Sequence, residues 1–255
     1  MDRHFSLDPW ISQDGQFLAR HRTPRWKRAF DLLVAGPALV LLSPVILFLA
    51  VLVRLTSRGP ALYRQPRVGE RGRIFTLCKL RSMVDGAERE TGPVWASEDD
   101  PRQTRLGRVL RRFHLDELTE LWHVLRGDMS LVGPRPERPE FVEKLAEQIP
   151  GYVNRLAVRP GITGLAQILL PADRSVDDVR RKLSVDLYYI EHQSFGLDLR
   201  ILAATALRAL FVPWRICHRI CGIPRVESIL PARESPDRGR VAGEPQQVTA
   251  ADSRC

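Results

Sequence analysis

The longest apolar run of the chain lies near its start. Ala29 to Val53 carries Asp31 as its one charge. As a single helix, about 25 residues at ~1.5 Å each reach ~37 Å, enough to cross the hydrocarbon core of a bilayer. Pro37 and Pro44 interrupt it, the second directly after Ser43. Pro44 has no N–H and its ring crowds the Val40 carbonyl, so the helix is expected to kink at Ser43-Pro44. The run begins too far into the chain for a cleaved signal peptide and has no small-x-small exit.

Downstream, the pattern breaks into shorter elements. Ala61-Leu62-Tyr63 and Arg73-Ile74-Phe75-Thr76-Leu77 are β-like runs around a turn holding Gly69 and Gly72, the signature of a small hairpin. Residues 85–103, rich in charge, Gly and Pro, read as a mobile loop. Leu115, Leu118, Leu121, Trp122 and Leu125 share one helical face. A second helix is predicted over residues 137–149. Leu156-Ala157-Val158 leads into a turn-rich loop, Arg159 to Gly164, and another helix spans Val176 to Ile190.

From Leu199 to Cys221, Leu202, Leu207, Leu210, Phe211 and Trp214 alternate with Arg200, Arg208, Arg215 and Arg219. That mixture suits a helix in the lipid headgroup region or one packed on the body; the pattern leaves both open. The expected organisation is a flexible lead over 1–24, a membrane helix over 25–58 and a catalytic body over 59–198. An interfacial amphipathic helix over 199–224 and a disordered tail over 225–255 complete it. The fold class is mixed α/β and mostly helical.

Charge sharpens this picture. The 255 residues carry a net charge of +9, which favours acidic partners: nucleic acid, anionic lipid or a phosphorylated substrate. Zinc-finger spacing and RNA-binding aromatic signatures are missing, which argues against nucleic acid. Cysteines at 78, 217, 221 and 255 form no disulfide framework and suit a reducing compartment. Cys217 and Cys221 read as ordinary helix residues rather than metal ligands. Arg20, Arg22, Arg25, Lys27 and Arg28 precede the apolar run, and Arg54 and Arg58 follow it. The positive-inside rule puts both ends in the cytoplasm, which a kinked re-entrant helix satisfies. A single span and a buried core helix are the alternatives.

The chemistry-bearing stretch is Arg111-Arg112-Phe113-His114-Leu115-Asp116-Glu117-Leu118, followed by Gly127 to Pro136. Carboxylates among arginines at a helix start suit attack on a phosphate group, with the helix end and guanidinium groups holding its oxygens. An acidic first turn is also ordinary capping chemistry. Lys79 and Arg81 share one side of a strand, as phosphate ligands or as surface charge. Arg135 between two prolines and Arg159 before Pro160 are held by stiff backbone, which suits a pre-organised clamp.

With these stretches in view, the chain resembles the bacterial sugar transferases of the monotopic polyprenyl-phosphate phosphoglycosyl transferase superfamily. The resemblance rests on Lys27-Arg28-Ala29-Phe30-Asp31, Ser43-Pro44, Tyr63-Arg64-Gln65, Lys79-Leu80-Arg81-Ser82-Met83 and Leu115 to Leu118. Gly127 to Pro136, Val158 to Gln167 and Leu183 to Tyr189 follow in the family's order. It implies transfer of a sugar-1-phosphate from a UDP-sugar to polyprenyl (undecaprenyl) phosphate at the cytoplasmic face of the bacterial inner membrane. Asp116 is implied as nucleophile, forming an aspartyl phospho-sugar and releasing UMP, and Glu117 as the Mg²⁺ ligand. Lys79, Arg81, Arg111, Arg135 and Arg159 would bind phosphate or nucleotide, with Asp186 in support. Two departures stand out: His114 replaces a small polar residue, and Ile168 to Ala172 replaces a polar turn. The rival readings are a membrane-bound hydrolase and a non-catalytic scaffold on anionic surfaces.

Overall fold

The computed structural model describes residues 4–7, 15–89, 92, 100–173 and 175–230. The protein is mostly helical, with two small sheets. Helix α1, Arg25–Thr56, runs 32 residues through both prolines, about 48 Å at the standard rise. Strands β1 (Leu62–Val68) and β2 (Ile74–Leu80) form the expected antiparallel hairpin, with Tyr63 opposite Lys79. Arg71, at φ 55°, takes the left-handed corner of its turn.

Helix α2 (Arg105–Arg112) begins at Thr104, whose hydroxyl accepts from the Gly107 N–H at 2.9 Å. A Cβ on Gly107 would fall 1.8 Å from the Ser82 carbonyl, so only glycine lets α2 rest on the chain leaving β2. After a 3₁₀ turn at Leu115–Glu117 come α3 (Glu120–Arg126), β3 (Ser130–Val132) and α4 (Pro139–Gln148). A 3₁₀ helix at Tyr152–Ala157 leads into β4 (Gly161–Thr163), then α5 (Leu165–Leu169) and α6 (Val176–Glu191). Helices α7 (Phe195–Ala209), α8 (Trp214–Cys221) and α9 (Val226–Ile229) follow. The core gathers Val124, Met129, Val132, Tyr152, Leu165, Tyr189 and Ile201.

Helix α1 rests on this body along one stripe and at both ends. Asp31 and Ala35 are buried near its start, with Ala38, Leu39 and Leu42 partly buried beyond them, while Leu49 and Val53 near its end form a second cluster with Leu80 and Leu110. The rest of its apolar surface, including Leu33, Val40, Leu41, Leu47 and Phe48, is exposed. Of its most apolar 18-residue window only 11% is buried, so it is not a core helix.

Several expectations need correction. The carboxylate pair does not open a continuous amphipathic helix: Asp116 and Glu117 sit in the 3₁₀ turn, and α3 starts at Glu120. Trp122 is 53% exposed, whereas Glu120 and His123 face inward. The supposed loop after Arg159 contains β4, paired in parallel with β3. The single amphipathic helix from Leu199 is two helices, with α7 crossing the expected boundary at 198/199. The chain breaks between them because Phe211 takes φ 61° and Pro213 cannot continue a helix. In the lead, residues 15–20 are helical, Leu7 and Leu18 are buried, and the Phe5 N–H donates to the Gly72 carbonyl at 2.7 Å. Apolar side chains in that polar stretch dock it, so it is not a free lead. At the other end, α9 is ordered beyond 225, and 231–255 lie outside the described residues, as do 90, 91 and 93–99 of the expected loop.

The start of α1 is locked to α7 by a Lys27–Asp198 ion pair, with the two residues 2% and 0% exposed. Tyr189 donates to the same carboxylate at 2.8 Å. Lys27→Met should lower unfolding stability by about 3–5 kcal/mol, because Asp198 is left charged and unpaired in the core. Thermal and denaturant unfolding in detergent checks this; an unchanged transition would refute the locking role.

Candidate active site

Lys79, Glu117, Glu120 and Arg135 meet between two backbone platforms. The first joins β2 to α3. The Cys78 N–H donates to His123 Nε2 at 3.0 Å, and Thr119 Oγ1 donates to the Cys78 carbonyl at 2.7 Å. Lys79, the next residue, therefore leaves a clamped strand. Its Nζ reaches Glu117 Oε1 at 2.7 Å and Glu120 Oε1 at 2.8 Å.

The second platform is the loop Pro134-Arg135-Pro136. Gly133 and Gly161 let β3 and β4 close tightly, since a Cβ on Gly161 would lie 2.1 Å from the Gly133 nitrogen. Three successive carbonyls of the loop are then held. Pro134 accepts from the Gly161 N–H at 2.9 Å, Arg135 from Arg155 Nη2 at 3.1 Å, and Pro136 from Arg67 Nη1 at 2.9 Å. Arg135 projects from this loop and places Nη2 2.5 Å from Glu117 Oε1.

The two adjacent carboxylates have opposite electrostatics. Burial opposes ionisation of Glu117, but Arg135 and Lys79 outweigh it and hold its carboxyl far below the usual range. Asp116 is pushed upward, chiefly by burial and then by the Glu117 charge, against the pull of Lys79 and Arg111. Glu120 is also raised, by burial first, with Lys79 opposing. Arg111 adds a buried Nη1 with no hydrogen-bond partner, a donor in reserve beside Asp116.

Other predicted site residues lie elsewhere. Arg81 turns back to the end of α1, where Nη2 donates to the Ser57 carbonyl at 2.9 Å and to its hydroxyl at 2.6 Å. Arg81 lies one residue past β2, and its direction is set by Ser57 rather than by strand parity. Arg159 faces Glu70, with Nε 3.4 Å from the carboxylate, and its N–H donates to Thr23 Oγ1 at 2.8 Å. Its side chain therefore meets the hairpin turn at Glu70, and only its backbone N–H meets the lead. Asp186 accepts from Arg155 Nε at 3.1 Å and Nη2 at 2.8 Å, so it supports the Arg135 loop through Arg155. Ser43 and Pro44 lie exposed in mid-α1, with the Ser43 hydroxyl donating to the Val40 carbonyl at 2.8 Å. His114 is left-handed (φ 54°) and makes no cap hydrogen bond.

Glu120, His123 and Arg155 escaped the sequence reading. Glu120 carried a usable signal, because it lies four residues after Asp116 and three after Glu117. A hard divalent cation fits the donor set: oxygen carboxylates, one of which already attracts two positive charges. Among the described residues no three acidic, His or Cys side chains form a cage. Mg²⁺ accepts one or two carboxylates with water and substrate phosphate completing its shell.

The pattern defining the bacterial sugar transferases matches residues 22–212. The chain belongs to that family. The chain is 44% identical over 179 residues to a UDP-N-acetylgalactosamine-undecaprenyl-phosphate N-acetylgalactosaminephosphotransferase of Aeromonas hydrophila. That match covers 70% of this chain and 42% of the relative. It is 43% identical over 190 residues to an undecaprenyl-phosphate glucose phosphotransferase of Komagataeibacter xylinus, covering 72% of this chain and 36% of that one. The chain therefore spans about two fifths of these two relatives. A shorter relative, the exopolysaccharide production protein PSS of Rhizobium leguminosarum bv. phaseoli, is 40% identical and 94% covered.

Arg155→Met should cost about 3–5 kcal/mol by stranding buried Asp186. It should also weaken substrate use, since the Arg135 carbonyl loses its donor. Unfolding curves with donor kinetics check both; unchanged stability would overturn the bracing role.

Proposed function

We propose that this sugar transferase moves a sugar-1-phosphate from a UDP-sugar to undecaprenyl phosphate at the cytoplasmic face of the bacterial inner membrane. The observation that carries the reading is Asp116: a buried carboxylate beside cationic Lys79 and Arg111, one residue from a carboxylate held by Arg135. The relatives' names, which pair undecaprenyl phosphate with glucose or N-acetylgalactosamine, support the substrate class.

Asp116 has shed most of its water, which favours nucleophilic use, while Lys79 and Arg111 favour its ionised form. Its oxygen attacks the sugar-bearing phosphorus of the donor and the diphosphate bridge breaks, releasing UMP. A lipid phosphate oxygen then attacks the aspartyl-bound phosphorus, giving the lipid diphospho-sugar and restoring Asp116. Arg135 and Arg111 bind the phosphate oxygens throughout. Mg²⁺ held at Glu117 would offset the charge gathering on the leaving phosphate.

The membrane reading draws support from α1. A straight span would put Asp31 and Val53 on opposite faces of a ~30 Å hydrocarbon layer. Asp31 is bonded to Ser130 and Leu131 and Val53 clusters with Leu80 and Leu110, so a helix that enters and leaves by one leaflet, turning at Ser43-Pro44, fits better. Exposed Trp26 and Phe195, in edge-to-face contact at 6.0 Å, suit the headgroup level. Exposed Leu210 and Phe211, between α7 and α8, and exposed Ile216 and Ile220 on α8 extend that surface.

Asp116→Asn should reduce UMP release and lipid product by about 10³-fold or more, with the unfolding curve kept. Near-normal turnover with the correct donor would rule out the covalent route. Cysteines introduced at Arg20 and Arg58, in a background without native cysteines, should both react only from the cytoplasmic side of inverted vesicles. Labelling from opposite sides would establish a span.

A further inference from the structure

Glu117 receives Lys79 at 2.7 Å and Arg135 at 2.5 Å on one oxygen, Oε1, while His114 Nδ1 lies 4.0 Å from Oε2. A divalent cation arriving there would meet both as like charges. Such like-charge repulsion is strong at contact distance. The two must therefore move off Glu117 as the cation comes on. Arg135 is 41% exposed and extends from a loop fixed by its backbone, so its guanidinium can turn to a substrate phosphate. Lys79 has no such freedom. Its strand is clamped on both sides of Cys78 by His123 and Thr119, and its ammonium is mostly buried. Its other carboxylate is Glu120, 1% exposed, at 2.8 Å.

We propose that Glu120 is a positioning residue that keeps Lys79 when the divalent cation takes Glu117, so that metal entry becomes an exchange of partners. The proposal rests on Glu117 being the cation's carboxylate. Without an acceptor at 120, Lys79 has only Glu117 to neutralise it and competes with the metal. With Glu120 present, the lysine stays within the site and its charge remains beside Asp116.

The test uses Mn²⁺ as probe, bound to the full chain in detergent without donor, with free Mn²⁺ followed by its paramagnetic resonance. Glu120→Leu should weaken binding about tenfold, the scale on which groups behind a metal ligand act. Glu120→Gln, which still offers Lys79 an oxygen but carries no charge, should stay within about threefold of the parent on the same scale. Lys79→Met added to Glu120→Leu should restore binding. Unfolding curves verify that each variant is folded, and a misfolded Glu120→Leu leaves the Gln variant and Lys79→Met, alone expected to bind Mn²⁺ at least as tightly as the parent, to decide. The proposal is overturned if Glu120→Leu binds like the parent, if Glu120→Gln is as weak as Glu120→Leu, if Lys79→Met alone binds more weakly, or if the double variant is not restored. Mn²⁺ binding that survives Glu117→Gln overturns the cation reading as well, which separates the two failures.

Discussion

Removing a lysine and an aspartate from water costs several kcal/mol per ion, and only close pairing with further hydrogen bonds offsets it. Lys27 and Asp198 meet that condition, with Tyr189 supplying the additional donor. The pair joins α1, α6 and α7 at one buried point. Four residues along α1, Asp31 accepts from the Ser130 hydroxyl and the Leu131 N–H, each at 3.0 Å, and so ties the helix to β3. Arg28 donates to the Val124 and Leu125 carbonyls of α3 at 2.5 and 2.7 Å. The first two turns of the apolar helix are thus fixed to the strand leading to Arg135 and to the helix carrying Glu120. The carboxylate cluster is thereby held in a fixed position relative to the start of α1.

Within that frame, two neighbouring acidic residues acquire different chemistry from backbone geometry. A 3₁₀ turn advances about 120° per residue, more than the ~100° of an α-helix. Asp116 is turned into the body while Glu117 faces the Lys79 and Arg135 cations. The left-handed His114 just before it starts this tighter path. A continuous α-helix from Leu115 would spread the pair differently and bring Trp122 inward with the leucines.

The hairpin and the helices at 139–148 and 176–191 were legible because each has a clear period or strong turn residues. Strands β3 and β4 were not. Three residues establish no alternation, and their pairing depends on Gly133 and Gly161 approaching across sequence. Lys79, Glu117 and Arg135 meet in ion pairs beside Asp116, with Arg111 close enough to bear on its charge, a grouping the sequence offered only through the family resemblance. Arg81 and Arg159 do not, since a long side chain's direction depends on which carbonyl or carboxylate lies nearest, and Ser57 and Glu70 are remote in sequence. Glu120 was hidden for another reason: on a helix read by its leucines, an acidic residue looks solvated. Burial beside Lys79 becomes visible only when β2 lies across α3.

The tautomer of His123 follows from its partners. Nε2 accepts the Cys78 N–H, so it carries no proton, and Nδ1 points its hydrogen toward Asp128 Oδ2 at 3.4 Å. A buried, neutral imidazole thereby serves as a spacer of fixed length between α3 and β2. Thr119 repeats the linkage one turn earlier at the carbonyl of the same Cys78 peptide plane's residue. Opposite, Gly161, Arg155 and Arg67 grip the Arg135 loop by its carbonyls. Both platforms are therefore held through bonds that end on main-chain atoms, while the charges between them belong to side chains. Partner exchange among Lys79, Glu117, Glu120 and Arg135 requires rotations about side-chain bonds only, and the backbone that aims Asp116 need not move with them.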